Sequence, residues 1–594
     1  MSHWSGNKKA ILYTALMFVL VVAIACGSTA PAEPVVVEKE VIKEVIKEVP
    51  VIKEVIKEVP REVIVEKQVI REVVTEKLIV ATPAPVAPVK AEAARDSITL
   101  VTSVEPATLG AWDQCGANVI GFVCTDATVD PLTWIDGEFR ELVGTSGTES
   151  WEQMGPARWR FKLRDGVKFH TGEPWNAEAA KMGIDINGTV KELEGYSFHG
   201  EVVAEIVDPM TVDVVCAKDC PIFPRTAAWT TFQAPKWYES ASEDERLRRT
   251  VGFGPYVMLD WNPGVSITLE AYEDYLPNDA LEMRAPSIKF ATQVFRNEEL
   301  VRAAMVQTGE ADWAADIGFD QTDKVPKVAT GLNNEIFALL VDTVWHPELK
   351  KKKVRMALAH AIDCEALTEA LYQSLVKCWG NTSAQGTAGI TAENSAPYGY
   401  DPALSRKLLE EAGYDEANEI KIFTRNGRVQ KDVEYYEGVV GYWKKVGVNA
   451  SLQVVERGIN SDINQTGCGR TEDPIRCHDF AAPPRYNASP HTASTATSNE
   501  ILDYIRQARL RSSCYATRSK ICDQELEKLI EAADPMPLGD GRTQALEAIA
   551  NRVHDEYLYF PAFQVAVVFA LAENLEWEPR YDPRVRVNAM SFTK

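Results

Sequence analysis

Eleven cysteines give this chain its clearest chemical signal. Cys26 closes an apolar N-terminal run. The other ten fall as near neighbours: Cys115 and Cys124, Cys216 and Cys220, Cys364 and Cys378, Cys468 and Cys477, Cys514 and Cys522. An even count in an exported chain predicts disulfides. Local pairing is the expectation, each short loop contributing roughly 2–3 kcal/mol; sequence alone leaves the connectivity open. Cys216-Ala-Lys-Asp-Cys220 has metal-like spacing, but no second cysteine pair or histidine accompanies it, and no metal or cofactor is expected. The eight histidines are scattered, His478 and His491 being the one nearby pair. No Gly-x-Ser-x-Gly elbow, no Ser-x-x-Lys with its partners and no His-Glu-x-x-His occurs, so the chain does not read as a hydrolase. Gly252-Phe-Gly254-Pro255 has no following helix to cradle phosphate and is expected to be a turn. The chemistry left is binding.

The N-terminus explains the oxidising setting. Lys8 and Lys9 precede an apolar run of 14 residues, Ile11 to Ile24, short of the ~20 needed to span a bilayer. Residues 1–26 therefore read as a secretory signal. Ala23-Ile-Ala-Cys26-Gly-Ser has the small residues of a lipobox, which predicts lipidation of Cys26. An ordinary cleavage site is the alternative. Residues 27–95 read as stalk and linker. Val-Ile-Lys-Glu-Val-Ile-Lys-Glu-Val-Pro stands at 41–50 and again at 51–60. Its apolar pairs have a near-helical period, but Pro50 and Pro60 oppose a continuous helix. A broken helix, an extended stalk and a docked strand all remain open. Removing residues 1–25 deletes two lysines and no acids, so the charge moves from −23 to −25. That argues against nucleic acid as a partner.

The body, about 500 residues, is too long for one core. Ser97 to Thr102 reads as a first strand. Trp159, Phe161 and Leu163 alternate with Arg160, Lys162 and Arg164, the period of a half-buried strand. Asp165-Gly166 is a turn signal, and Val167 and Phe169 resume the alternation, which predicts a hairpin. Asn176 is placed to cap a helix from Ala177. Glu201 to Cys216 alternates like a strand pair turning at Asp208-Pro209. Further along, Asp401, Pro402 and Gly413 punctuate one helix. Residues 419–424, 435–446 and 448–456 follow as strand, helix and strand, a parallel crossover. His360, on a helix with one apolar face, is expected to be structural.

Taken together, Trp159 to Glu178, Val251-Gly-Phe-Gly-Pro-Tyr256, Val354 to Asp363, Tyr400 to Tyr414 and Asp523 to Glu531 resemble the extracellular solute-binding proteins of ABC importers, family 5, which bind oligopeptides, dipeptides or nickel. The resemblance spans about 96–594. It implies an α/β periplasmic-binding-protein-like type II fold, with two lobes, a hinge and an inserted small domain. Domain I would comprise 96–142, 251–338 and 562–594, domain II 143–250, and domain III 339–561. It implies a monomeric, non-enzymatic carrier on the extracytoplasmic face of the membrane, periplasmic or at the cell surface. Such a carrier holds a peptide or other small-molecule ligand and delivers it to an ABC permease of two membrane subunits with ATPases. A different solute, such as an oligosaccharide or nickel chelate, and a sensory role are the competing readings. Peptide-binding relatives anchor the ligand amine on a second-lobe carboxylate; Asp473 or Asp479, with Tyr486 nearby, is the candidate here, against a disulfide-closed surface loop. Trp112 and Asp113 after the first strand, and the aromatics Trp229 and Phe232, complete the candidate ligand residues, with core packing the alternative for the last two.

Overall fold

The computed structural model describes residues 41–44, 71–74 and most of 95–594; the longest stretches left out of the last are 111–125, 191–195 and 464–491. Two compact units result, Met1–Ala91 and Glu92–Lys594. In the first, Val41–Glu44 pairs antiparallel with Arg71–Val74. Of the three conformations open for the repeat, the described residues take a strand. β-Branched Val and Ile at these positions suit a ladder better than a helix. The signal segment and Cys26 lie outside the described residues. Among the described residues no helix is long and apolar enough to cross a membrane.

An eleven-stranded mixed sheet organises the second unit. On one side, Phe290–Phe295, Ser97–Thr102 and Trp313–Ala314 run parallel, extended by the antiparallel hairpin Tyr256–Asn262/Ser266–Ala271. On the other, Ile420–Thr424 and Ala450–Val454 run parallel, joined by the helix Asp432–Lys445, the crossover expected from sequence. Two long antiparallel strands, Lys327–Leu340 and Tyr559–Leu571, link the sides. Their register breaks between Leu332 and Ile336, and again between Phe337 and Ala338. One core lies under the first side around Leu100, Trp313, Phe569 and Trp577. The larger one packs Trp443, Tyr435, Leu358 and Phe563.

Apart from this sheet stands a four-stranded one, ordered Thr148–Gly155, Arg158–Leu163, Thr211–Cys216, Val202–Asp208. Trp159, Phe161 and Leu163 are buried in its core as their alternation requires. Arg158 and Arg160 both pair with the buried Asp213 across the ladder. The expected Asp165-Gly166 hairpin does not form. Arg158–Leu163 takes its partners from Thr148–Gly155 and Thr211–Cys216, and Lys168 makes only an isolated bridge to Pro174. Val167 and Phe169 are buried all the same, because Phe169 packs edge-on to Trp175 and Phe253. Their apolar spacing served the core and not a ladder. The helix Ala177–Thr189 starts where expected, Asn176 Oδ1 accepting from the Ala179 amide at 3.0 Å. Gly252 and Gly254 belong to a close crossing of chains. A Cβ on Gly254 would sit 2.5 Å from the Thr128 carbonyl carbon, and the Gly254 amide donates to Thr128.

Three of the five expected disulfides are present among the described residues: Cys216–Cys220, Cys364–Cys378 and Cys514–Cys522. The other two expected pairings, Cys115 with Cys124 and Cys468 with Cys477, lie outside the described residues. Cys115 and Cys124 both fall in 111–125, and Cys468 and Cys477 in 464–491, so neither bond is observed. Cys378 belongs to Lys377–Cys378, which pairs with Tyr559–Leu571 beside the register break.

Two half-buried histidines should make the four-stranded region acid-sensitive. His170 donates from Nε2 to the Gly254 carbonyl, and His199 from Nδ1 to Gly200. Burial lowers both pKa values to about 4, against an ordinary 6.5. Each is neutral in the fold but protonates more readily once unfolded. Stability is therefore intact above pH 6.5 and falls as the pH drops towards 4, by roughly 2–3 kcal/mol per histidine. Calorimetry from pH 7 to 4 should show a steeper loss of melting temperature in the native protein than in His170→Gln.

Candidate functional site

The two sets of parallel strands point their carboxyl ends toward one seam, where ligands bind in open α/β sheets. Just past Trp313–Ala314, the Ile317 carbonyl accepts a hydrogen bond from Gln430 Nε2 at 3.0 Å. Gln430 lies in the loop after Ile420–Thr424, so this bond crosses between the lobes. In the same loop Arg428 forms an ion pair with Glu335, in the register break of the long strands. Gln564 Nε2 donates to the Asn333 carbonyl at 2.6 Å, and the Asn334 amide donates to the Tyr581 carbonyl at 2.5 Å. The backbone groups freed by the break are thus taken up by one side chain and by the C-terminal segment.

Beside this seam Asp316 adopts a left-handed backbone, φ 50°. Arg302 holds it there. That buried guanidinium donates to the carbonyls of Ala315, Arg296 and Asn297 at 2.8 Å each, and to that of Asp316. Burial pushes the Asp316 carboxyl above its ordinary range, opposed by Arg302 and Arg428 and reinforced by Glu335. Across the seam Arg511 donates to Thr495 Oγ1 at 2.8 Å. Burial, with Arg518, Arg506 and Arg428 nearby, lowers its pKa to about 9. Arg506 pairs with Glu500 at 2.6 Å. The second lobe therefore brings several guanidiniums together beside the seam, with Glu335 and Glu500 among them.

Further out the lobes touch directly. Trp229 and Ala228 pack on Ile501, while Ile135 and Tyr581 pack on Leu502. Arg225 donates to the Ile501 carbonyl at 3.4 Å, Tyr581 Oη to Glu500 at 3.4 Å, and Arg140 to Gln385 at 2.7 Å. A stack of guanidiniums backs this contact. Arg580, Arg584 and Arg586 lie over Trp134 at 4.7, 4.0 and 4.9 Å from the ring centre, and Arg584 also covers Trp229. Asp582, Asp126 and Asp130 pair with them in turn. Such planar cations stack and bond bidentately at once, which lysine cannot do.

Of the residues singled out from sequence, Trp229 sits in this interlobe contact. Phe232 is fully buried against Trp175, Phe253 and Gly183, so its ring packs the four-stranded region's core and faces no seam. Trp112, Asp113, Asp473, Asp479 and Tyr486 lie outside the described residues. Sequence reading missed Asp316, Asn334, Glu335, Arg428, Arg511, Tyr581 and the segment 499–503. One signal was available: Asn333-Asn334-Glu335 interrupts a strand that is otherwise apolar from Ile336 to Leu340.

Known proteins resemble the chain as follows. The family description "Bacterial extracellular solute-binding proteins, family 5 Middle" matches residues 146–468. The glutathione-binding protein GsiB of Salmonella typhimurium is 27% identical over 334 residues, 54% of this chain and 62% of that protein. The chain therefore spans about three fifths of that relative's length. Among solved structures, the ABC transporter substrate-binding protein CtaP of Listeria monocytogenes superposes with a TM-score of 0.70 at 18% identity, covering 84% of this chain and all of that one. A dipeptide-binding protein from Pseudoalteromonas sp. SM9913, in complex with Met-Leu, gives 0.68 at 17% identity, with coverage of 84% and 100%. These two show a shared fold.

A charge placed in the outer contact should open the seam. Leu502→Asp would bury a carboxylate against Ile135 and Tyr581, costing about 3 kcal/mol or more, a shift of more than about a hundredfold in favour of separated lobes. Small-angle scattering should then report a larger radius of gyration with an unchanged circular dichroism spectrum.

Proposed function

The chain belongs to the bacterial extracellular solute-binding proteins, family 5, the binding components of ABC importers, and from that premise we propose that it captures short peptides between its lobes. The observation that carries the reading is the pair of long strands whose register breaks at the seam. A continuous ladder resists bending. A ladder broken at Leu332–Ile336 concentrates the change at a few residues, as hinge closure around a ligand demands.

The chemistry of the seam supports a zwitterionic ligand. Asp316 brings a carboxyl group from the first lobe, and Arg428, Arg506 and Arg511 bring guanidiniums from the second. A peptide carries both complements at its ends. Relatives bind glutathione and Met-Leu, both short peptides. Strand-like peptide recognition would add the residues that follow Ser97–Thr102, where Trp112 and Asp113 lie, and Asp473, Asp479 and Tyr486 in the second lobe. Closure would raise the population of a form that an ABC permease accepts. Lipid on Cys26 would keep the monomeric carrier at the extracytoplasmic face of the membrane, with the 27–95 segment as tether. The carrier has no catalytic role in this scheme.

Native mass spectrometry of the purified body, residues 96–594, tests the reading. Co-purified or added di- to pentapeptides should appear as bound adducts and raise the melting temperature without being consumed. A bound glycan or metal chelate in their place, or steady product formation, overturns it.

A further inference from the structure

The register of Lys327–Leu340 against Thr492–Ser498 pairs Ile336 with Thr497 and Glu335 with Ser498. Continued one step beyond the ladder's end, the same register sets Asn334 against Asn499. Asn334 is 2% exposed and Asn499 is fully buried. Both are short of partners. The Asn334 side chain has no hydrogen bond at Nδ2 or at Oδ1, and Asn499 Oδ1 has none either. Asn499 Nδ2 is satisfied by Ser383 Oγ and the Asp503 carbonyl, which fixes its plane. Lobe contacts surround the group: the Asn334 amide is on Tyr581, whose ring packs on Leu502.

A buried polar atom without a partner costs about 1–3 kcal/mol. Three such atoms on these two asparagines are a large deficit for a scaffold to carry. The deficit has a definite shape. The Asn334 carboxamide offers one donor and one acceptor side by side. In an extended peptide the N–H and C=O of a single residue point the same way, as in the hydrogen-bonded pairs of an antiparallel ladder. A carboxamide meets both at once.

We infer that Asn334, with Asn499 opposite it, reads the backbone N–H and C=O of one residue of an extended ligand, which makes the hinge break itself part of the binding site. The inference rests on the peptide reading above and narrows it. Side chains of the ligand are free to vary while Asn334 holds its main chain, so recognition at this point is independent of peptide sequence. The ligand's amide also removes the deficit when the lobes close on it, so binding and closure reinforce each other.

The test is Asn334→Leu, close in size but without polar atoms. Removing both unmet groups should leave the melting temperature of unliganded protein unchanged or raise it. Affinity for reduced glutathione and for members of a di- to tetrapeptide library, measured by calorimetry, should fall at least roughly tenfold. A lower melting temperature with affinity intact would make Asn334 a structural residue and overturn the inference. Equal affinities for both proteins overturn it while the peptide reading stands. Failure of every peptide to bind the native protein overturns the peptide reading and this inference with it. If the variant does not fold, a high-resolution structure of the native protein with bound peptide decides. Peptide N–H and C=O within hydrogen-bond distance of Asn334 support the inference, and an ordered water alone on that side chain overturns it.

Discussion

The pairing of Lys327–Leu340 with Tyr559–Leu571 is the constraint on which the molecule depends. These strands hold both halves of the sheet, and every residue of the seam is placed by its distance from their register break. Before the break, Lys327 to Leu332 pairs with the segment up to Leu571, in the first lobe. Beyond it, Ile336 to Leu340 pairs back to Tyr559, in the second. Stiff elements flanking a short irregular one turn a small dihedral change into a movement of whole lobes.

Polar residues in such a break are costly unless something answers them. Asn333 is answered by Gln564, Glu335 by Arg428, and the Asn334 amide by Tyr581. Arg302 does similar work next door, its carbonyl bonds holding Asp316 in a backbone region that non-glycine residues seldom occupy. Strain of that kind persists only where the surroundings over-determine it, and it concentrates at binding sites. Here the over-determining group is a buried arginine whose desolvation is offset by four carbonyls. Side chains aimed at the seam are therefore fixed before any ligand arrives, which limits the entropy lost on binding.

How much of this the residues disclose in one dimension depends on the range of the interaction. The capped helices at Asn176 and Asp401 and the crossover at 419–456 are local, and their periodicity and capping residues suffice to find them. Trp159, Phe161 and Leu163 were legible as a buried face for the same reason. Cys216 with Cys220, Cys364 with Cys378 and Cys514 with Cys522 were legible too, since a short loop brings each thiol to its neighbour. The failed hairpin at Asp165-Gly166 marks the limit. Val167 and Phe169 keep a strand's alternation, yet Arg158–Leu163 pairs instead with the strand just before it, through Trp151, and with Val212, distant in sequence. The seam is harder still. The register that carries Asn334 toward Asn499 joins two strands far apart in the chain, and Glu335 finds Arg428 across a similar separation. The polar interruption Asn333-Asn334-Glu335 is the one local sign, and nothing local names Arg428 or Asn499 as its counterparts. Phe232 shows the converse: an aromatic that looks available in sequence is consumed by the core.

Two kinds of arginine follow from this geometry, and their difference bears on how the site is used. Arg580, Arg584 and Arg586 each have a carboxylate partner and an aromatic face, so their charge is neutralised within the first lobe and serves to hold the C-terminal segment against Trp134. Arg511 lies among other guanidiniums, and burial with that repulsion lowers its pKa to about 9. Arg511 donates to Thr495 Oγ1, and beside it Arg506 is answered by Glu500 and Arg428 by Glu335, so these guanidiniums are held at the seam itself and not behind it. The same exclusion of water that makes the seam expensive when open makes each ligand contact count when closed. On the peptide reading proposed above, selectivity for a charged, extended ligand would follow from where the two lobes place these groups.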